Sequence, residues 1–306
     1  MSLRPSALLL ACCTLFLSLG ASAEVKVLTS IKPLQLIAAA VQDGEGSPDV
    51  LLPPGASPHS YALRPSDVRR LREAQLFYWV GPDMEVFLDK PLQARQAPSV
   101  AVQELPGMHL RKFVNFENMS HADYEDHDHD HRPGTLDAHL WLLPANAQAI
   151  AARMAEDLAI ADPLNAGRYQ ANLKAFDERM EQLDARLKQR LAPLVGKPYF
   201  VFHEAFDYFE EAYGLRHAGV FALSADVQPG AKHVAAMRAQ LQKAGPSCIF
   251  SEPPLRPRLA DTLSAGLPVQ LAELDDLGVA VKVDANGYER LLGNLADEFA
   301  GCLEKL

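Results

Sequence analysis

Two rhythms alternate along this chain. Short runs of alternating or continuous apolar residues recur: EVKVLT from Glu24, LFYWVG from Leu76, YFVFH from Tyr199, SCIFS from Ser247 and PVQLAEL from Pro268. Runs of that length and composition predict β-strands. Between them, apolar residues return every three or four positions, which predicts helices. Ser30 is placed to cap a helix from Ile31 to about Gln42, stopped by Gly44. A short strand at Asp49–Leu52, a helix capped by Ser66, a helix near Met84–Gln93 and a strand near Ser99–Gln103 follow. Further on, helices are predicted from Pro144 to about Ile160, over Lys232–Lys243 and Pro257–Ala265, and from Tyr288 to Leu303, with another strand at HAGVFAL from His217. Strand and helix in strict alternation argue an α/β fold with mainly parallel sheets covered by helices.

One helix stands apart. From Asn165 to Leu191 the apolar positions are Tyr169, Leu173, Phe176, Met180, Leu183, Leu187 and Leu191, a single stripe. At about 1.5 Å per residue this helix is roughly 40 Å long. In mid-chain it reads as a strut between two β/α lobes. A dimerising coiled coil is the weaker reading, because its flanking charges show no pairing pattern. The expected division is a first lobe over 24–163, a linker helix over 164–193 and a second lobe over 194–306, without a whole-domain sequence repeat.

The pattern breaks in two further places. Residues 121–131, HADYEDHDHDH, offer almost nothing apolar to pack, so the stretch 115–135 is expected to be a solvated His/Asp-rich loop. Residues 1–23 combine Arg4, an apolar run from Ala7 to Leu19 and Ala21-Ser22-Ala23, which predicts an export signal cleaved after Ala23. A lipoprotein signal ending at Cys12 ranks second, since its apolar core would be very short.

Composition narrows the function classes. The 306 residues are 48% hydrophobic and carry a net charge of −10; removing 1–23 takes away Arg4 and no acidic residue, leaving −11. Such a surface disfavours nucleic acid and anionic membrane and mildly favours cations. Cys248 and Cys302 survive processing, and in an oxidising compartment one bridge is expected; two buried thiols are the alternative.

Three of the ten histidines share a context. His59 follows DVLLPPGASP, His139 sits in LDAHLWL, and His203 ends YFVFH. Each lies at or just beyond a predicted strand, where open α/β sheets bind ligands. Convergence would place them between the lobes, and three imidazoles make most of a tetrahedral Zn2+ site. Asp275 in LAELDDLG is the fourth candidate, with water as the alternative. Taken singly, each histidine is more often a packing residue, and Asp-Asp-Leu-Gly is good turn chemistry. His121, His127, His129 and His131 are expected to bind metal weakly, because a flexible chain loses entropy on ordering. His109, His217 and His233 read as structural or surface.

With these residues in view, the chain resembles the zinc-binding (ZnuA-type) periplasmic substrate-binding proteins of bacterial ABC importers, in the TroA-like, cluster A-I family. The resemblance rests on GASPHSYALRPSD, the histidine-rich loop, DAHLWLLP, FHEAFDYFEEAYGL, SCIFSEP, LDDLG and the cysteine pair, in order along nearly the whole mature chain. It implies two β/α lobes, a rigid connecting helix and metal in the cleft on His59, His139 and His203. It further implies a monomer in the periplasm that delivers Zn2+ to a membrane permease served by a cytoplasmic ATPase. In manganese- and iron-binding relatives the position of His203 is commonly Glu, with Asp at the position of Asp275 a strong ligand, so histidine here points to zinc. Some zinc relatives carry an acidic residue just before the first ligand, where this chain has Pro58. Two other readings stand: a manganese or iron importer subunit, and a three-histidine zinc hydrolase with Glu204 or Asp207 as base. No HExxH motif supports the latter.

Overall fold

A computed structural model describes residues 24–113, 134–222, 230–253 and 258–306. The predicted export signal and residues 121–131 lie outside the described residues.

The first lobe is built on a parallel sheet of β1 (Val27–Thr29), β2 (Asp49–Val50), β3 (Leu76–Trp79) and β4 (Ser99–Ala101), in the order β2-β1-β3-β4. Both central strands are buried along their whole length, which is why they read as continuous apolar runs. Thr29 lies level with Val50 and with Tyr78, so the strands end together and their following loops leave from one edge.

Helices α1 (Lys32–Val41), α2 (Pro65–Glu73) and α3 (Asp89–Gln93) connect the strands. Their starts differ from expectation. Ile31, not Ser30, is the N-cap of α1. Helix α2 begins at Pro65, and the Arg64 N–H donates to the Asp67 carboxylate at 2.8 Å, while Ser66 lies in the first turn. Proline needs no partner for an N–H it lacks, so it takes the first position and displaces the serine. The helix expected near Met84–Gln93 divides into a 3-10 turn, Val86–Leu88, and α3. Pro91 cannot donate back to Phe87, so the α-helix starts at Asp89.

A two-stranded antiparallel pair, β5 (Arg111–Lys112) with β6 (Leu136–Asp137), sets Arg111 opposite Asp137. With two residues per strand it leaves no periodicity to read. Beyond it run α4 (Pro144–Ala161) and α5 (Ala166–Leu191). Helix α5 has 26 residues, about 39 Å at 1.5 Å per residue. Its buried stripe is Tyr169, Phe176, Met180, Leu183, Leu187 and Leu191, with Leu173 partly covered.

The second lobe repeats the design. Strands β7 (Tyr199–His203), β8 (Gly219–Ala222), β9 (Ser247–Ser251) and β10 (Val269–Glu273) pair in parallel as β8-β7-β9-β10. Counted within each lobe, that is the same second-first-third-fourth order as in the first sheet. Helices α6 (Asp207–Tyr213), α7 (Ala231–Ala244) and α8 (Arg258–Ser264) belong to this lobe, and α9 (Gly287–Leu303) returns to pack against α1 and α5. Cys248 on β9 and Cys302 on α9 are joined by a disulfide.

The lobes share one core rather than merely facing each other. Trp141 donates its indole N–H to the Asp276 carbonyl at 2.9 Å, Tyr288 on α9 donates to the Trp141 carbonyl, and Lys32 reaches the Val279 carbonyl at 2.7 Å. Among the described residues, no helix is long and apolar enough to cross a membrane.

Candidate metal centre

Three different devices deliver the three histidines. His59 ends a loop that leaves β2 through Pro53, Pro54, Gly55 and Pro58; the prolines fix φ, and Gly55 takes a positive φ of 77°. His139 follows β6 and opens a 3-10 turn, Leu140–Leu142, whose three residues are fully buried. His203 is the last residue of β7. A coordinating nitrogen of each lies within 4.8 Å of the others. Ring centroids are 4.8 Å apart for His139 and His203, and 5.4 Å from His59 to either. Ligands at about 2.0–2.1 Å from a tetrahedral Zn2+ are roughly 3.4 Å apart, a spacing that side-chain movements bring these nitrogens to from within their 4.8 Å span.

The surroundings set the protonation. Burial holds His139 well below the ordinary histidine range, and His59 nearby adds to the effect. Burial likewise depresses His203, reinforced by His139 and His59. Both rings are therefore neutral at pH 7 and offer lone pairs, not protons. The Asp137 Oδ1 atom lies 2.8 Å from His139 Nδ1 and also accepts the His139 backbone N–H at 3.0 Å. That carboxylate holds the proton on Nδ1 and turns the Nε2 lone pair to the other imidazoles, the carboxylate–histidine arrangement of many zinc sites. Burial pushes the Asp137 carboxyl up to about 7, against the pull of the His139 N–H, Arg111 and His59. Sequence reasoning did not single out Asp137; its place two residues before His139 was the available signal.

Asp275 lies outside the group of three. Burial pushes its carboxyl up, against the pull of the nearby Val279, Gly278 and Ala280 N–H groups, and its own N–H donates to Glu298 at 3.0 Å. This is the turn chemistry that Asp-Asp-Leu-Gly favours. His121, His127, His129 and His131 lie outside the described residues.

A second polar group lies next along the chain. A ligand atom of each of Glu204, Asp207 and His217 is within 4.8 Å of the others, and all three residues are buried. The His217 Nδ1 atom lies 2.9 Å from both Glu210 oxygens. Asp207 pairs with Arg111 at 3.0 Å. Burial opposes a charge on His217, yet Glu210, Asp207 and Glu204 outweigh it and hold the imidazole up at about 9. Burial, aided by Asp207, pushes Glu204 up to about 9. His217 thus has the acidic company that the sequence did not reveal, because its partners come from α6 across a turn. His109, beside Glu211 at 3.0 Å, and His233, whose Nε2 faces the Val220 carbonyl at 3.2 Å, are surface and packing residues as expected.

Comparison with known proteins agrees with this geometry. The family model "zinc-uptake complex component A periplasmic" matches residues 27–302. A high-affinity zinc uptake system protein of Yersinia pestis is 39% identical over 293 residues, covering 92% of both chains. Its namesake in Paracoccus denitrificans is 36% identical, covering 98% of this chain and 99% of its own. Among solved structures, a ZnuA crystal structure superposes with a TM-score of 0.76 at 22% identity, covering 92% of this chain and 99% of the other. The zinc-bound form of a ZnuA deletion mutant gives 0.75 at 23%, covering 92% and 98%. At such identities the structures speak to fold: two β/α lobes bridged by a long helix. The sequence matches span nearly the whole chain, and on them it belongs to the family of periplasmic zinc-uptake components.

Proposed function

We propose that this chain captures Zn2+ between its lobes on His59, His139 and His203, with water or Asp275 completing the coordination, and passes the ion to the permease of an ABC importer driven by its cytoplasmic ATPase. The observation that carries the reading is the convergence of three imidazoles from two lobes at the ends of their strands. Two of those rings are buried and neutral, so the ion displaces few protons at pH 7. Three nitrogen donors in the set favour zinc over the harder manganese. The chain works as a monomer exported to the periplasm after cleavage following Ala23, with 24–163 and 194–306 as lobes and 164–193 as the connecting helix. His121, His127, His129 and His131 form an accessory, weaker collecting arm.

The lobes share a core, so release proceeds by modest tilting and loop movement rather than wide opening. Docking on the permease has to favour a ligand-poor geometry, because only differential affinity shifts such an equilibrium. The hydrolase reading is the weaker one: Glu204 and Asp207 group with His217 rather than with the three imidazoles, and the matching family is a zinc-uptake component.

Zinc titration under competition with a strong chelator tests the assignment, using the metal-stripped protein, His203→Ala and a 121–131 deletion. One tight equivalent, lost with His203→Ala and kept by the deletion, is expected. Tight binding abolished by the deletion and untouched by His203→Ala would move the site to the loop.

A further inference from the structure

The group beside the histidines calls for an explanation of its own. Glu204, Asp207, Glu210 and Asp137 place four carboxyl groups in mutual electrostatic contact, against one guanidinium, Arg111, and one imidazole, His217. The cations do not fully serve the acids. Arg111 binds Asp207 Oδ2 and Glu211, and His217 Nδ1 is engaged by Glu210. Glu204 is 3% exposed, and among the described residues its Oε1 accepts no hydrogen bond. A buried carboxylate oxygen without a donor is costly, because the desolvation of the group is left uncompensated. Natural proteins resolve that cost with a proton, a water or a cation.

We propose that Glu204, Asp207 and His217 form a second divalent-cation site, separate from the three-histidine centre. Three observations meet here. The ligand atoms lie within 4.8 Å of one another, the same span that holds the three histidines. Glu210 engages one ring nitrogen of His217 as Asp137 engages one of His139, the arrangement that orients an imidazole for a metal. The surplus of carboxyl groups over cationic partners gives a divalent ion its charge balance. Two carboxylates and one imidazole are a harder donor set than three imidazoles, so this site accepts Mn2+ as well as Zn2+ and discriminates less. His203 and Glu204 are consecutive, so occupancy of the second site would bear on the end of β7.

The test uses the full chain preloaded with one equivalent of Zn2+, then titrated with Mn2+ as a paramagnetic probe. Broadening of the His217 ring resonances in histidine-labelled protein reports the second site, and those of His127, His129 and His131 report the loop separately. Saturable broadening at His217 is expected, weakened at least tenfold in both Glu204→Gln and Asp207→Asn, with the loop signals unchanged. Melting curves of both variants confirm that they fold, and Glu204→Gln keeps the shape of the side chain if Asp207→Asn fails. A His217 signal insensitive to Mn2+ while loop signals broaden, or broadening undiminished in a folded variant, overturns the proposal. Chelator competition for the first Zn2+ is measured in parallel, so failure at the three-histidine centre is read independently.

Discussion

Consecutive residues, His203 and Glu204, serve two neighbouring polar groups of opposite character. On one side, three imidazoles are gathered and burial keeps His139 and His203 neutral. On the other, burial and neighbouring carboxyl groups raise Glu204 and Asp207, and Glu210, Asp207 and Glu204 in turn keep His217 protonated. The same side chain, histidine, is thus held neutral in one group and, without a metal, protonated in the next. Low dielectric strengthens whichever field is already there. What distinguishes the groups is the count of carboxyl groups in each.

The largest expected effect is on the first group. His203→Ala removes one of three imidazoles and should weaken zinc binding by more than the roughly 10–100-fold typical of losing an outer partner. Chelator competition measures it, and a smaller loss would demote β7's end from the centre. Next comes pH dependence of the metal-free fold. His217 has a folded pKa of about 9 against roughly 6.5 unfolded. Its contribution is therefore fully present below about 6.5 and lost as pH rises through about 9, on the order of 3 kcal/mol. Glu204, also raised to about 9, acts in the same direction over a wider window, since the folded state holds a proton that the unfolded chain has given up. Urea midpoints from pH 6 to 9.5 should fall, and His217→Gln should flatten the curve; a midpoint that rises over this range would reverse the assignment. Smaller again is Asp137→Asn, which keeps the shape and a hydrogen-bond acceptor while removing the charge behind His139. About a tenfold loss of zinc affinity is expected by the same competition, with Asp137→Ala nearer 100-fold. Equal affinity in both variants would make Asp137 a packing residue.

The parts of the molecule legible in the sequence were those governed by period and by strand ends. The buried strands LFYW and YFVFH, the α5 stripe, and the histidines after β2, β6 and β7 all announce themselves within a few residues. The disulfide was legible because only two cysteines follow the predicted export signal. Helix starts were less so, because a proline at the first position outweighs a serine nearby. The β5–β6 pair has two residues per strand and joins segments far apart in sequence. The Glu204, Asp207 and His217 group draws on the end of β7, α6 and the turn before β8, three elements whose meeting the sequence pattern alone does not announce. Asp275 carried two local signals, as a turn residue and as a residue after a strand, and the turn signal matches the Gly278 N–H bond to its carbonyl at 3.4 Å.

The cross-lobe bonds of Trp141, Tyr288 and Lys32 have a consequence for timing. On the proposed function, halves knitted through a shared core would make wide opening costly, so loss of the ion would run through stepwise ligand exchange. The clock for delivery would then sit with docking on the membrane complex rather than with spontaneous breathing of the carrier.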